Sequence, residues 1–183
     1  KQFEATMAGK MVWIDLEMTG LDIEKESIIE IATVITDGDL NTLAIGPNLA
    51  IKVDSELLAN MDEWNTKHHT SSGLVDRIEK EGVSLEEAII QTCDFLRLNL
   101  DGERAPLCGN SIHNDRAFLA KEMPEVLKLL HYRIVDVSSI KEISKRWYPN
   151  NPRYNKKEAH RALEDILESI EELKHFRKTI FRD

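Results

Sequence analysis

The segment Met-Val-Trp-Ile-Asp-Leu-Glu, residues 11–17, alternates without a break, with Val12, Ile14 and Leu16 on one side and Trp13, Asp15 and Glu17 on the other. Successive side chains of a strand point to opposite faces. The pattern therefore predicts a strand with one apolar face and a second face carrying two carboxylates. The two acids then point the same way, two residue rises or ~6.5–7 Å apart along the strand. A carboxylate in a segment that reads as buried needs a cation, a proton or several hydrogen bonds to offset its desolvation. Whatever covers that face must bring this compensation, unless the strand lies at an edge with its acids in solvent.

The rest of the pattern supplies the cover. Met18-Thr19-Gly20 reads as an exit turn, and residues 28–37 form a β-branched run suited to a central strand. Asp37-Gly38 turns the chain toward a third strand over residues 42–53, giving an antiparallel meander. Beyond it the pattern turns helical. Ser84-Leu85-Glu86-Glu87 fits a capping box, and Leu85, Ala88, Ile89, Thr92, Leu96 and Leu100 make one stripe that Asp101-Gly102 ends. Residues 106–108 are a short strand leading through Gly109 into a helix near residues 114–121, with Asn114 as a candidate N-cap. Pro124 opens another short helix. Residues 133–137 read as a buried strand, followed by a helix to about Trp147 and a polar loop over 149–157. A last helix runs from about Ala159 to Phe181, with Ile166, Ile170, Leu173, Phe176 and Ile180 as its stripe. Strands first, then alternating helices and strands, predict an α/β domain with a mixed sheet flanked by helices. With 183 residues the chain is expected to be one domain from residue 11 to residue 183, after an N-terminal extension of residues 1–10.

Composition restricts the chemistry. No run approaches the roughly 18 apolar residues of a membrane span, and the first ten residues lack an apolar signal-peptide core. Cys93 and Cys108 stand in no metal-like spacing and fit a reducing compartment. The expected location is cytoplasmic, with the mitochondrion as the alternative if a transit peptide has been removed. With 33 acids against 24 bases and a net charge of −9, the chain has no basic surface for tracking long nucleic acid. Any nucleic acid it holds must be short and gripped through metals and individually placed groups.

Three further positions join the two strand acids. Asp115 lies in Gly-Asn-Ser-Ile-His-Asn-Asp, where it is either a helix-start acid or a ligand. His160 precedes Asp165 by five residues at the opening of the last helix, where both also suit a plain helix surface. An imidazole titrates near neutrality and suits a general base acting on water. Four carboxylates converging without arginines would hold a hard divalent ion. Asp136 is a fifth candidate, better read as a hydrogen-bonded structural acid, while the adjacent His68 and His69 lack the spacing of a helical zinc pair. No dinucleotide fingerprint, phosphate loop or nucleophile elbow occurs.

Taken together, Asp15-x-Glu17, Asp115 and His160-x4-Asp165 resemble the DEDDh 3′-5′ exonucleases, with no position of that pattern missing. The strings Val-Trp-Ile-Asp-Leu-Glu-Met-Thr-Gly-Leu-Asp, Met-Asp-Glu-Trp-Asn, Cys-Gly-Asn-Ser-Ile, His-Tyr-Arg-Ile-Val-Asp-Val-Ser-Ser and His-Arg-Ala-Leu-Glu-Asp-Ile narrow the resemblance to the oligoribonuclease family, across residues 11–181. It implies a ribonuclease H-like fold, a homodimer, and metal-dependent release of nucleoside 5′-monophosphates from the 3′ ends of very short RNA. By the resemblance, Asp15, Glu17, Asp115 and Asp165 hold two Mg²⁺ or Mn²⁺ ions and His160 is the base. Leu21 is a wedge between bases, with Trp64 beside the substrate and His69 in support, although Leu21 and Trp64 also suit a core. Ser111, Arg133 and Ser138 cap a 5′ phosphate, and Tyr132 reaches into the partner's site. A proofreading-like DNA exonuclease, a non-catalytic RNA-binding protein and a mononucleotide phosphatase remain as rivals.

Overall fold

The alternating strand is the middle of the sheet. In the computed structural model, which describes residues 9–182, β1 runs Met11–Met18, β2 Ile28–Thr36 and β3 Thr42–Ala50. β1 pairs antiparallel with β2, setting Asp15 opposite Ala32 and Glu17 opposite Glu30, and β2 pairs antiparallel with β3. Two short strands then join in parallel, β4 (Leu107–Gly109) beside β1 and β5 (Ile134–Asp136) beside β4. The order is β3-β2-β1-β4-β5. Asp15 and Glu17 thus stand on a central strand, and every residue of β2 is buried.

The helices after the meander are α1 (Ser55–Ala59), α2 (Glu63–Ser71), α3 (Leu74–Glu81) and α4 (Leu85–Leu100). Then come α5 (Ile112–Glu122), α6 (Pro124–Lys128), α7 (Val137–Trp147) and α8 (Ala162–Thr179). They bury both faces of the sheet. Val12, Ile14 and Leu16 pack with Ala88 and Leu96 of α4 and Leu119 of α5. Trp13, Ala32 and Val34 pack with Ile166, Ile170 and Phe176 of α8, and the Trp13 indole N–H donates to Thr36 Oγ1 at 3.0 Å. Each such large side chain contributes about 1.5–3 kcal/mol by leaving water. The two acids share the Trp13 face, so α8 covers them.

Local signals set several boundaries. Ser84 Oγ accepts from the Glu87 amide at 3.1 Å, starting α4 where the capping box predicts. Long-range contacts overrule others. The last helix begins at Ala162 rather than Ala159, and α5 begins at Ile112 with Ser111 as N-cap, so Asn114 is no cap. The buried strand expected over residues 133–137 is the shorter edge strand β5 with Ile134 exposed, because nothing among the described residues pairs beyond it. β3 stops at Ala50, and Ile51 continues only as a single bridge to Val83. Of the expected N-terminal extension, residues 1–8 lie outside the described residues. Lys10 is tied down, its amide donating to Glu103 Oε1 and its ammonium to the Asn99 carbonyl, each at 2.7 Å. No helix among the described residues is long and apolar enough to cross a membrane.

Candidate active site

β1 outruns its parallel neighbour. Its pairing with β4 covers Val12 and Trp13, after which β4 leaves the sheet and α5 begins. The Leu16 amide is thereby left without a ladder partner on that side, and Asp115 Oδ1 accepts its hydrogen at 3.1 Å. This bond brings Asp115, buried in the first turn of α5, to the end of β1. The place lies beyond the carboxyl ends of the parallel strands, where α/β sheets commonly bind ligands.

Asp165 arrives from the opposite direction, and a residue absent from the motif puts it there. Glu30, fully buried on β2, accepts the Ala162 amide at 2.6 Å and so fixes the first residue of α8. Its other oxygen accepts from Arg77 at 2.8 Å and Arg161 Nε at 3.3 Å. Asp165 falls within the first turn of the helix thus anchored. One oxygen each of Asp15, Glu17 and Asp165 then lie within 4.8 Å of one another. Asp115 stands outside that triad, beside Asp15.

The electrostatics of this cluster are those of crowded, mutually repelling acids. Asp15 Oδ2 is buried without a hydrogen-bond partner among the described residues. Burial, then the charges of Asp115, Glu17 and Asp165, pushes the Asp15 pKa well above the ordinary carboxylate range. Glu17 is pushed up to about 9 by burial and then by Asp165 and Glu30. Asp115 is pushed up to about 7, burial outweighing the hydrogen bond from Leu16, and Asp165 to about 6, burial outweighing Lys156. Without a cation, such groups reduce their repulsion by keeping protons. An all-oxygen set with one orphaned oxygen fits a hard divalent ion and excludes a soft, thiolate-seeking one.

His160 is not seated on the carboxylates. It precedes α8 at φ 53°, two residues after Glu158 at φ 51°. Such left-handed non-glycine residues cost about 1–3 kcal/mol each and persist where their surroundings overdetermine them. The half-buried ring lies edge-on to Trp64 and His68 of α2, at centroid distances of 5.9 and 4.8 Å. It makes neither hydrogen bond nor ion pair among the described residues. A cavity of about 240 Å³ opens beside it, lined by Lys67, His68, Ser71 and Ser72.

The remaining predicted positions fall into two groups. Leu21, just past β1, is 72% exposed and Trp64 on α2 is 56% exposed, so neither is core. His69 is buried; its Nε2 donates to the Met18 carbonyl at 2.8 Å and its Nδ1 lies 3.9 Å from Glu17 Oε2. Burial lowers its pKa, and it braces the exit of β1 from beneath. At the other end, the N-termini of α5 and α7 converge. Asp136 Oδ1 accepts the amides of both Ser111 and Ser138 at 2.9 Å, which makes Asp136 a structural acid. Ser138 Oγ also accepts the Ser111 amide at 3.1 Å. Arg133 is exposed, its guanidinium 5.5 Å from the ring of Tyr132, which is itself 72% exposed. Gly109 does not make room for a ligand: Ile112 Cδ1 fills the space its side chain would take, and Ser111, at φ 48°, makes the turn.

Sequence reasoning missed Glu30, Arg77 and Arg161, as well as Asn110, Lys156 and Glu172. One signal was present: Glu30 is the sole charged residue in the buried run Ile28–Thr36.

Comparison with known proteins follows the same lines. The model of the exonuclease family, described as RNase_T: Exonuclease, matches residues 12–173. A probable oligoribonuclease of Dictyostelium discoideum is 53% identical over 94% of this chain and 91% of its own. The mitochondrial oligoribonuclease of Homo sapiens is 51% identical over 97% of this chain and 76% of its own. The oligoribonuclease of Shewanella frigidimarina is 49% identical over 97% and 99%. Among solved structures, exonuclease I superposes with a TM-score of 0.76 at 10% identity over 94% of this chain. The zinc-bound complex of the Escherichia coli enzyme with single-stranded DNA superposes at 0.74. The chain spans 41% of the length of each, so these likenesses concern the fold alone.

Proposed function

The chain belongs to the oligoribonuclease family of exonucleases and has the ribonuclease H-like fold, and from that premise we propose that it removes nucleoside 5′-monophosphates one at a time from the 3′ ends of very short RNA. The observation that carries the reading is the convergence of Asp15, Glu17, Asp115 and Asp165 at the carboxyl end of the sheet, with Asp15 Oδ2 buried and without a hydrogen-bond partner among the described residues. These four acids would hold two Mg²⁺ or Mn²⁺ ions, which when bound activate a water and stabilise the departing oxygen. Residues 11–183 act as one exonuclease unit. Two buried cysteines without a disulfide suit a reducing compartment, the cytoplasm or the mitochondrial interior.

Each group of residues then has a task. Asp15 and Glu17, fixed by the pairing of a central strand, cannot move apart to relieve their repulsion, so the site is preorganised for cations. His160 takes the proton of the attacking water. The bond between phosphorus and the 3′ oxygen of the preceding nucleotide breaks, and the terminal nucleotide leaves as a monophosphate. His160 must approach from its place on Trp64 and His68, by a movement of the residues between Lys157 and Arg161. Leu21 and Trp64 offer exposed apolar surface on which bases stack, and His69 holds the turn that presents Leu21. Ser111 and Ser138, at the meeting of two helix N-termini, take the 5′ phosphate together with Arg133 from the chain leading into β5. That cap allows an acidic protein to hold RNA: it measures a short piece rather than neutralising a long backbone. Tyr132, exposed beside the open edge of β5, would enter the partner's site in a homodimer.

The test is turnover of 5′-phosphorylated RNAs from two to about ten nucleotides, with Mg²⁺ and with chelator, products resolved by length. Metal-dependent monophosphate release that is fastest on the shortest RNA is the expected result. Rates that hold or rise with length remove the cap, inorganic phosphate as product removes the nuclease, and indifference to chelator removes the metal site.

A further inference from the structure

A chain of polar contacts joins the proposed phosphate cap to the segment that carries His160, and Asn110 is its hub. The Asn110 amide donates one hydrogen to Ser138 Oγ at 3.1 Å and the other to Glu172 Oε1 at 2.9 Å. Its carbonyl oxygen accepts from Lys156 Nζ at 2.9 Å. The amide cannot be reversed, since a flip would set its NH₂ against the ammonium and its oxygen against the carboxylate. Glu172 is fully buried on α8 and incompletely satisfied. Lys156 and Lys141 each stand 3.6 Å from one of its oxygens, and Oε2 has no hydrogen-bond partner among the described residues. In so poorly screened a place a small change in one contact alters the others.

The two ends of this chain are both poised. Ser138 Oγ accepts from Asn110 and from the Ser111 amide, so its lone pairs are engaged and its own hydrogen is left to donate, with only a long 3.4 Å contact to the Ser111 hydroxyl to compete for it. An anion taking that hydrogen strengthens the bonds Ser138 accepts and draws Asn110 toward it. At the other end, the chain between α7 and α8 is pinned at a few places. Lys156 binds Asn110, the Lys157 amide donates to both oxygens of Glu168, and Arg161 binds Glu30 and the Ser72 carbonyl. Between these pins lie only residues 158–160, with Glu158 and His160 in left-handed conformations. A cavity of about 640 Å³ beneath this chain, lined by Tyr148, Asn151, Tyr154 and Glu172 among others, leaves polar contacts rather than packing to hold its first half.

We propose that Asn110, Glu172 and Lys156 form a joint through which an occupied Ser111–Ser138 pocket holds the His160 segment in its working position, Lys156 being the positioning residue. The proposal rests on the cap reading above and deepens it: the 5′ phosphate then acts on turnover as well as on binding. A minimal RNA with both its ends in the site reacts fastest because its 5′ end fastens the loop that serves its 3′ end.

The experiment compares kcat and KM for a 5′-phosphorylated and a 5′-hydroxyl dinucleotide RNA with saturating Mg²⁺, in the unaltered protein and in Lys156→Met, Lys156→Arg and Ser138→Ala. In the unaltered protein the phosphate raises kcat and lowers KM. Lys156→Met keeps the lower KM but loses the kcat advantage by about tenfold, the worth of one charge-assisted hydrogen bond, and Lys156→Arg restores part of it. Ser138→Ala loses both advantages. The same fall in kcat on both dinucleotides, or an unchanged kcat advantage in Lys156→Met, overturns the joint while leaving the cap intact. Should Lys156→Met fail to fold by thermal melting, Glu172→Gln is the second variant, with the same two outcomes. A parent protein indifferent to the 5′ phosphate overturns the cap itself, and the joint with it.

Discussion

Glu17 and Glu30 face each other across neighbouring strands, and they solve the same problem in opposite ways. Both carboxylates are drawn into the interior. Glu30 receives hydrogens from Arg77, Arg161 and the Ala162 amide, all from the protein. Glu17 has no such donor among the described residues; a histidine nitrogen stands 3.9 Å away, and its pKa is pushed up to about 9. Burial therefore does not separate a structural acid from a functional one. What separates them is whether the fold supplies the cation. Glu30 with its two arginines fixes where α8 begins, and α8 then delivers Asp165 to a cluster whose raised pKa values Arg161 and Lys156 offset only in part.

The largest effect that tests this contrast is at Asp15. Asp15→Asn removes the acid that feels all the others, and it is expected to abolish turnover and to weaken divalent-ion binding in calorimetry. In the presence of chelator the same variant is expected to melt higher than the parent, since a repelled buried carboxylate has gone. A lower melting point in chelator would mean that Asp15 is structural, as Glu30 is. His160→Asn comes next, with kcat lower by about 10²–10⁴-fold, the usual worth of a general base. Divalent-ion affinity should stay unchanged, because the ring lies on Trp64 and His68 rather than on the carboxylates. Loss of ion affinity in that variant would put His160 inside the metal site.

Glu30→Gln examines the other half of the comparison. It leaves Arg77 and Arg161 facing a neutral amide, and removing one partner of a buried ion pair costs about 3–5 kcal/mol. Urea unfolding should show that loss with chelator present, and activity at saturating Mg²⁺ should fall less than in the Asp15 variant. A stability equal to that of the parent would show that the start of α8 is held by packing alone.

The same contrast explains what the sequence disclosed. The central strand was legible because alternation is a local property: residues 11–17 write out both faces and both acids. The capping box starting α4 and the stripe of α8 were legible for the same reason. The start of α8 was not, since its first amide bonds to Glu30, 132 residues away, and three residues before it are spent on a strained turn. Nor was the place of Asp115, whose bond to Leu16 exists only because β4 ends before β1 does. Helices α1 to α3 left only a general helical tendency in the sequence, being short and divided by a left-handed Gly73. The five motif residues could be named from the string; the network that brings the four acids together could not, because each of its bonds joins distant segments.

The smallest predicted effect follows from the raised carboxyl groups and runs against the usual behaviour of salt-bridged acids. With chelator present, the folded protein keeps protons on Asp165 up to about pH 6, on Asp115 to about 7 and on Glu17 to about 9. The unfolded chain releases the same protons near pH 4. Between these limits the folded state binds more protons, so stability falls as pH rises from about 4 and levels off above the highest folded value. Raising the pH from 6 to 7 should lower the thermal midpoint by several degrees, given that about 1 kcal/mol is worth ~2–4 °C in a chain of this size. Mg²⁺ competes with those protons, so the stabilisation it confers should grow over the same interval. In Asp15→Asn the slope should be shallower, because one repelling charge is gone and its neighbours titrate lower. A slope of opposite sign in the parent would show that the cluster already finds its positive charge within the protein, and the distinction between Glu17 and Glu30 would vanish.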